Sequence, residues 1–354
     1  MRRLYSSLKA MRYPEHLAAM IADCPAPPVH VRIKPTNVCN HSCYFCAYRS
    51  SAVSLGEDMN VRDRIPRAKM LEIADDLVAM GVKAVTFSGG GEPLIYPYLV
   101  ETMERLAAGR VSLGALTNGA QLRGKVADAF ADWGTWIRVS IDGWDGPSYA
   151  RYRDVRESEY AKVMGNLSAF AARNSRCELG ASIIVDATNA GRVTSLAAQL
   201  KDAGVRQVKV SACVVSNDAA KNAAYHQPIS AIVREQIEQM NRLEDGAFVV
   251  HDHYHTLGSR FGTKHVSCSM ARLLTVIGAD SVVYTCQDKA YTASGTLGSI
   301  ADRRFADFWF SDENWARLRA LNPARDCRHH CVAETKNELL QELIEIDPNH
   351  AAFV

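Results

Sequence analysis

Short apolar runs alternate with amphipathic segments over the first two thirds of the chain. Met70, Ile73, Leu77 and Met80 recur at helical spacing, and Gly81 follows where a helix is expected to stop. Six apolar runs lie between such segments, at residues 29–35, 84–90, 110–119, 136–143, 178–185 and 207–215. Near-continuous apolar strands that alternate with helices are typical of a parallel sheet with covered faces. The pattern therefore predicts an α/β fold, a partial (β/α)6 barrel of the TIM type.

The alternation fades after the sixth apolar run. One more helix is predicted over residues 229–243 and a strand-like stretch over 247–256, and the remaining chain carries little βα periodicity. The predicted organisation is an N-terminal helical extension at 1–28, the partial barrel at 29–255, and a C-terminal domain with a final helix at 256–354.

Composition and charge narrow the classes of protein. The chain has 354 residues, 47% hydrophobic and 23% charged, which is ordinary globular composition. Lys and Arg number 41 against 39 Asp and Glu, a net charge of 41 − 39 = +2, so no nucleic-acid or anionic membrane partner is indicated. No apolar run is long enough to cross a membrane, and the first 20 residues do not resemble a secretory signal, so we expect a cytoplasmic protein.

The ten cysteines are clustered, unlike those of a secreted disulfide scaffold. Three of them, Cys39, Cys43 and Cys46, lie in one loop directly after the first predicted strand. This is the carboxyl rim of a barrel, where active sites of this architecture are built. Three thiolates suit an iron–sulfur cluster and would leave one iron of a four-iron cubane open. The alternative is a zinc site completed by His41.

The Cys-x3-Cys-x2-Cys loop, with an aromatic residue before its last cysteine, resembles that of the radical S-adenosylmethionine (SAM) superfamily. The segment Ser-Gly-Gly-Gly-Glu-Pro at residues 88–93 resembles the glycine-glycine-glutamate segment of the same family, which meets the amino group of the cofactor's methionine moiety. Glycines permit a close backbone approach, and a carboxylate accepts from an ammonium group. A tight turn explains a lone glycine run better than a cofactor site does, but the combination with the cysteine loop is specific.

The resemblance extends to further residues near strand ends. Asn118, Ser140 and Asp142 are three of these residues, and the alternative to cofactor binding for their side chains is turn capping. Phe45 and the backbone near Val185 correspond to the adenine surroundings, and Arg153 to an arginine near the methionine carboxylate. The cofactor-binding residues implied by the resemblance are Phe45, Gly90, Gly91, Glu92, Asn118, Ser140, Asp142, Arg153 and Val185.

Four cysteines near the C-terminus resemble the "twitch" extension, a shorter relative of the SPASM extension in that superfamily. The resemblance implies an auxiliary four-iron cluster held by Cys268, Cys286, Cys327 and Cys331. Two departures from the family pattern are Ser281, where glycine is usual, and three rather than two residues between the last two cysteines. A structural zinc ion is the alternative, because it also takes four thiolates.

Two further features remain open. Cys213 ends the sixth predicted strand and is either a core cysteine or a hydrogen-atom donor of the kind used by radical epimerases of the superfamily. His251, His253 and His255 would share one face of a strand, which favours a polar face or substrate contacts over a metal site.

The resemblance implies that the chain is an enzyme. An electron from an external donor such as flavodoxin or ferredoxin would cleave S-adenosylmethionine bound to the first cluster, and the 5′-deoxyadenosyl radical would abstract hydrogen from a C–H bond. The expected substrate is a small polar molecule (a sugar, an aminocyclitol or a nucleotide-like compound), and the expected outcome is epimerisation or two-electron oxidation. The alternatives are a maturase that modifies a peptide substrate, and a non-catalytic iron–sulfur or zinc protein.

Overall fold

The strands of the protein form one continuous, unclosed sheet. The computed structural model describes residues 4–50, 53, 55–263, 265–327 and 330–353. Within these ranges the ten strands are β1 (His30–Ile33), β2 (Ala84–Phe87), β3 (Ser112–Thr117), β4 (Gly134–Ser140), β5 (Glu178–Val185), β6 (Gln207–Ala212), β7 (Val249–Asp252), β8 (Leu274–Ile277), β9 (Val282–Tyr284) and β10 (Thr296–Ser299). Their order across the sheet is β10-β9-β8-β1-β2-β3-β4-β5-β6-β7.

The six predicted strands are confirmed as β1 to β6, each paired in parallel with the next. The sheet is nevertheless wider than the six-stranded expectation. β7 adds a parallel strand beside β6, and β8 returns from far along the chain to pair in parallel with β1. β9 and β10 follow as antiparallel strands on the same edge. The four-residue β8 carries no βα periodicity around it, so the pattern of the sequence gave no indication of its place.

Helices cover the convex face of this sheet. The described residues form fourteen α-helices: α1 (Pro14–Ile21), α2 (Arg67–Ala79), α3 (Leu99–Ala108), α4 (Gly124–Trp133), α5 (Gly146–Arg153), α6 (Ser158–Ala171), α7 (Val193–Asp202), α8 (Ala219–His226), α9 (Ser230–Asn241), α10 (Met270–Leu273), α11 (Phe305–Trp309), α12 (Asp312–Ala320), α13 (Pro323–Asp326) and α14 (Glu334–Glu345). The predicted helices at 67–80 and 229–243 correspond to α2 and α9. No helix in these ranges combines the length and apolar character that crossing a membrane requires.

Side chains alternate between the two faces of each strand. In β1, Val31 and Ile33 are fully buried in the hydrophobic core together with residues of the covering helices. Arg32 and Lys34 lie on the opposite face, which curves into a concave interior that we call the lumen. Burial of the apolar positions, worth about 1.5–3 kcal/mol per large side chain, holds the helices on the sheet.

The C-terminal strands and helices pack directly on the barrel. Arg304 at the start of α11 donates from Nε to the buried carboxylate of Asp76 on α2, at 2.8 Å. Trp309 donates its indole N–H to the carbonyl oxygen of Ala26, at 2.8 Å. The proposed boundary at residue 255 therefore falls between β7 and β8, while the chain beyond it continues the same sheet.

Candidate active site

The loop with the first three cysteines lies at the carboxyl end of β1, as predicted. The backbone N–H of Cys46 donates to the carbonyl of Cys43 at 3.1 Å, which closes a tight turn between the two cysteines. The N–H of Ser42 donates to the carbonyl of Arg153 at 2.9 Å. The end of α5 therefore anchors the loop from the far side of the rim.

Two of the three thiols of this loop have perturbed pKa values. Burial raises the pKa of Cys39 to about 11, and it also raises the pKa of Cys43. Within the described ranges, however, no three His, Cys, Asp or Glu side chains converge tightly enough to hold a single metal ion. The choice between a cluster and a mononuclear zinc ion at this loop therefore rests on the chemistry of the ligands, because three thiolates in one loop suit an iron–sulfur cluster.

His41, the residue that would complete a zinc site, is turned toward α6. It is buried, and its Nε2 atom lies 3.7 Å from a carboxylate oxygen of Glu159. Burial and the nearby Arg153 lower the pKa of His41 to about 4, so the imidazole is neutral at physiological pH.

The glycine run packs against the backbone that leads into the cysteine loop. A Cβ atom at Gly91 would lie 2.0 Å from the carbonyl oxygen of Val38, and one at Gly90 would lie 2.3 Å from Oδ1 of Asn37. Gly91 also donates its N–H to the carbonyl of Thr36, at 3.1 Å. The close approach that glycine permits is thus made to the chain's own backbone, and it positions the loop.

Glu92 is buried, and its carboxylate joins the ends of β2 and β3. Oε1 accepts hydrogen bonds from the N–H of Leu94 at 3.0 Å and the hydroxyl of Thr117 at 2.6 Å, and Oε2 accepts from the N–H of Asn118 at 2.7 Å. Burial raises the pKa of Glu92, and these hydrogen bonds oppose the shift. A carboxylate has about four acceptor positions, so one remains for a ligand such as an ammonium group.

Asn118 is tied directly to the cysteine loop. Its Nδ2 donates to Oδ1 of Asn40 at 2.9 Å, and its Oδ1 accepts from the N–H of Ala120 at 3.0 Å. Oδ1 of Asn118 thus caps a turn, as the alternative role requires, while its Nδ2 contacts Asn40 of the cysteine loop.

Arg153 connects the cysteine loop to the end of β4. Its Nη2 forms a buried ion pair with Asp142, and its Nη1 lies 3.2 Å from Sγ of Cys43. Its guanidinium carbon is 5.5 Å from the ring centre of Phe45. Burial alone would lower the pKa of Arg153, but Asp142 and Cys43 raise it, so the side chain stays charged. The arginine predicted to approach a cofactor thus also contacts a predicted cluster ligand and a predicted adenine neighbour.

The ends of β4 and β5 place two more predicted residues. Ser140 pairs with Ser182 in register, and their hydroxyl oxygens are 3.3 Å apart. The side chain of Val185 is fully buried in the core, and its carbonyl accepts from the N–H of Cys213 at 2.9 Å. Asp142 accepts from the N–H of Ile184 at 2.7 Å, which fixes the backbone at this wall.

Cys213 lies at the end of β6 and is buried. Its carbonyl is held by Nε2 of His226 at 2.8 Å. Burial, with Asp186 and Asp142 adding to it, raises the pKa of the Cys213 thiol to about 12. The side chain is therefore a neutral thiol at the rim end of β6, and it lies within electrostatic range of Asp142.

A group of three residues at the rim escaped the sequence analysis. Asp186, which directly follows β5, accepts from the hydroxyls of Tyr44 and Tyr152, the latter at 2.7 Å. The two tyrosine rings are stacked with centres 5.4 Å apart, and Tyr44 meets Phe45 edge-on at 5.3 Å. The available signal was the Tyr-Phe pair inside the cysteine loop, but its partner is 142 residues away and no local pattern links them.

The four C-terminal cysteines are brought together by the fold. Cys268 lies within electrostatic range of Cys286, Cys327 and Cys331. Burial raises the pKa of Cys327 to about 11 and that of Cys331 to about 12. Asn337 of α14 donates toward Sγ of Cys268 at 3.6 Å. The predicted set is therefore one spatial group.

Lys34 lies between the two cysteine groups. It is fully buried and donates from Nζ to the hydroxyl of Tyr48 at 2.5 Å and to the carbonyl of Gly89 at 3.3 Å. Burial lowers its pKa to about 7, while Cys46 and Cys286 act in the opposite direction. Lys34 is thus within electrostatic range of one cysteine of each group.

The predicted histidine face is only partly present. His251 of β7 and His253, the first residue after that strand, both face the ring of Tyr5, at centre distances of 4.6 and 4.9 Å. β7 ends at Asp252, so His255 leaves the alternation and instead binds the Asp252 carboxylate at 2.6 Å.

Comparison with known proteins supports the interpretation of the rim. Residues 33–185 match the family model described as the radical SAM superfamily. Two similar curated proteins are the GTP 3',8-cyclase of Pseudomonas fluorescens, 26% identical over 63% of this chain and 65% of that protein, and GTP 3',8-cyclase 1 of Pseudomonas aeruginosa, 30% identical over 47% of this chain and 49% of that protein. The chain thus spans about half to two thirds of the length of these relatives.

Solved structures share the fold. SuiB of Streptococcus suis, bound to the precursor peptide SuiA, superposes with a TM-score of 0.62 at 14% identity, covering 90% of this chain and 73% of SuiB. Native anSMEcpe with bound AdoMet superposes with a TM-score of 0.57 at 16% identity, covering 90% of this chain and 96% of that one. Residues 33–185 therefore resemble the radical SAM superfamily in sequence, and the chain shares its fold with these solved structures.

Proposed function

We propose that the protein is a radical SAM enzyme that abstracts hydrogen from a C–H bond of a small polar substrate. The observation that carries the proposal is the convergence at one rim of the Cys39–Cys43–Cys46 loop, Glu92 and Arg153. Bound at this rim, an open four-iron cluster would pass on an electron from an external donor, and S-adenosylmethionine would supply the 5′-deoxyadenosyl radical.

The residues of the rim have separate tasks in this proposal. Cys39, Cys43 and Cys46 ligate three irons. The fourth acceptor position of Glu92 takes the ammonium group of the cofactor, and Arg153, which is already charged and oriented by Asp142, faces its carboxylate. Phe45, Ser140 and the backbone at Val185 border the nucleoside, with Gly90, Gly91 and Asn118 fixing the loop from below.

The substrate radical has two alternative fates, which involve different cysteines of this chain. A neutral thiol at Cys213 can return a hydrogen atom to a substrate radical, which gives epimerisation without net oxidation of the substrate, and the thiyl radical left at Cys213 would then take up an electron from the external donor and a proton. Alternatively, Cys268, Cys286, Cys327 and Cys331 hold a second cluster that accepts an electron, which gives a two-electron oxidation. Lys34, between the two cysteine groups, supports communication between the two clusters in the second case.

We place the substrate among small polar molecules, and most specifically among nucleotide-like ones. The curated relatives are GTP 3',8-cyclases, which supports a nucleotide-like substrate. The fold is shared with SuiB, whose structure contains a precursor peptide, so a peptide-modifying maturase is the second candidate.

The proposal is tested by anaerobic reconstitution followed by iron counting and a SAM cleavage assay. We expect about eight irons in the wild-type protein and about four in the triple variant C39A/C43A/C46A, with reductant-dependent 5′-deoxyadenosine formed only by the wild type. About four irons in the wild type, all lost in the triple variant, would remove the auxiliary cluster. Failure of the loaded wild type to form 5′-deoxyadenosine would refute the radical mechanism.

A further inference from the structure

The N-terminal extension reaches into the lumen, and the proposed function makes no use of it. The centre of the Tyr5 ring lies 4.6 Å from that of His251 and 4.9 Å from that of His253. It also lies 5.6 Å from the guanidinium carbon of Arg138 and 5.8 Å from Nζ of Lys209. These neighbours come from β4, β6 and the end of β7, so one side chain connects three parts of the curved sheet.

The depth that Tyr5 reaches follows from the register of the strands. Lys209 pairs with Ser182 on one side and with His251 on the other, and Ser182 pairs with Ser140. Partners in register share one face of a parallel sheet, so these four residues form a row across its inner face. Ser140 is the member of this row that is predicted to contact the cofactor. Because two other members of the row adjoin the ring of Tyr5, the ring lies inside the lumen and not merely across its amino end.

A cavity of about 770 Å³, which we call the vestibule, lies on the other side of Tyr5 at the amino ends of the strands. Its wall includes Tyr5 and Arg138 together with residues at the starts of β2 and β4, such as Ala84 and Thr135. Lys9 and Thr135 in this wall are exposed, so the vestibule is open to solvent. Tyr5 therefore lies between a solvent-filled space and the lumen.

The segment that carries Tyr5 packs only lightly on the rest of the protein. The 3-10 helix Ser7–Arg12 buries none of its side chains, and the first fully packed residue of the extension is Met20 of α1. Within the described ranges the hydroxyl of Tyr5 has no hydrogen-bond partner. Burial raises the pKa of this phenol, with Arg138 and Glu178 acting in opposite directions, so the hydroxyl is neutral. The ring is thus held in place by its neighbours inside the lumen.

We infer that Tyr5 is the floor of the substrate chamber, which is the part of the lumen between this ring and the rim. This inference rests on the proposed function, because the chamber is the space in which a substrate would meet the 5′-deoxyadenosyl radical. Such a radical abstracts hydrogen from small solutes that reach it, so the chamber has to exclude the solutes that the vestibule admits. Tyr5 provides this barrier. It also restricts the substrate to a molecule that fits above the ring, which makes Tyr5 a specificity-determining residue.

Acetylation of lysine amines by a water-soluble N-hydroxysuccinimide ester, followed by peptide mass spectrometry, tests whether Tyr5 is a barrier. Burial and the neighbouring arginines lower the pKa of Lys209 to about 7, so above that pH its amine reacts wherever the reagent reaches it. In the reconstituted, SAM-loaded protein we expect Lys209 to react about tenfold faster in Y5A than in wild type, because the vestibule then joins the lumen. Y5F keeps the ring and should match wild type, and Y5L should give a rate between those of Y5A and wild type.

The matched control is Y13A, because Tyr13 also lines the vestibule but packs beside Met20, outside the lumen. In Y13A the amine of Lys209 should react as slowly as in wild type. Two other lysines serve as internal references: the exposed Lys9 should react equally in every variant, and the fully buried Lys34 should stay unmodified while the protein is folded. An unchanged rate at Lys209 in both Y5A and Y5L, or an equal increase in Y13A, would overturn the inference.

A second measurement follows the radical itself. Reductant and 2-propanol with deuterium on carbon 2 are added to the SAM-loaded protein without substrate, and mass spectrometry gives the deuterated fraction of the 5′-deoxyadenosine. We expect this fraction to be about tenfold higher in Y5A than in wild type, Y5F or Y13A. Equal fractions in Y5A and Y13A would overturn the inference. If no variant forms 5′-deoxyadenosine while Lys209 still reacts faster in Y5A, the proposed function is refuted and the barrier at Tyr5 is not.

Discussion

Replacement of Glu92 by glutamine tests whether the buried carboxylate holds the rim together, binds the cofactor, or does both. Both of its oxygens are occupied, with Oε1 accepting from Leu94 and Thr117 and Oε2 from Asn118. An amide in E92Q must therefore direct an N–H group toward at least one donor. The variant loses at least one hydrogen bond to a charged acceptor, worth about 1.5–3 kcal/mol, and leaves a buried donor unpaired.

The expected cost is about 3 kcal/mol, which for one cooperative unit of 354 residues, with an unfolding entropy of about 2.1 cal/mol/K per residue, corresponds to a midpoint lower by about 4 °C. Midpoints are measured by thermal unfolding of anaerobically reconstituted protein, and SAM affinity by calorimetry. The control is E101Q, because the carboxylate of Glu101 binds Arg67 at the surface and its loss should cost at most about 1 kcal/mol.

We expect E92Q to lower both the midpoint and the SAM affinity. A midpoint within about 2 °C of that of E101Q would refute the structural role derived from the three hydrogen bonds. A large loss of SAM affinity with an unchanged midpoint would show that the fourth acceptor position matters more than the other three.

Three further variants test other parts of the rim. G91A should lower the unfolding midpoint by the equivalent of about 1–3 kcal/mol and reduce iron loading, because its Cβ would meet a backbone carbonyl. The control G191A, whose added Cβ has nothing within 4 Å, should change neither quantity. Equal behaviour of the two variants would exclude the close approach as the reason for glycine at position 91. R153K should lose the contact with a cluster ligand and show reduced iron content or a shifted cluster absorption, while R151K at the exposed neighbouring position should match wild type. If the enzyme is an epimerase, C213A should stall it or divert it to an oxidised product, which is followed by mass spectrometry of the product in deuterated buffer. The thiol of Cys213 is neutral below its pKa of about 12, and unchanged turnover in C213A would exclude it from the mechanism.

The strands that alternate with helices could be predicted because each of them is a local signal. An apolar run between two amphipathic helices identifies β1 to β6 without knowledge of the rest of the chain. β8 could not be found in this way, because its pairing with β1 depends on a contact across more than 240 residues. The same holds for Asp186, which binds Tyr44 in the cysteine loop through a contact that no spacing rule connects.

The contacts that the candidate site residues make within the chain could not be predicted from the motifs. The glycine run packs against the backbone at residues 36–38. Three of the four acceptor positions of Glu92 are filled by the chain. A motif shows which chemical groups are present, but their remaining hydrogen-bonding capacity depends on neighbours that only the fold supplies.

These contacts make the cysteine loop the meeting point of several strand ends. Asn40 is held by Asn118 after β3, Cys43 contacts Arg153 after β4, and the entry to the loop packs on the glycines after β2. Each neighbour also carries a predicted cofactor contact, so binding of the cofactor and positioning of the cluster ligands use the same side chains. A change at any strand end should therefore alter cluster loading and SAM affinity together. Measuring iron content and SAM affinity on one set of variants at these strand ends tests this coupling, and loss of one without loss of the other would show that the cofactor and the cluster ligands are held independently.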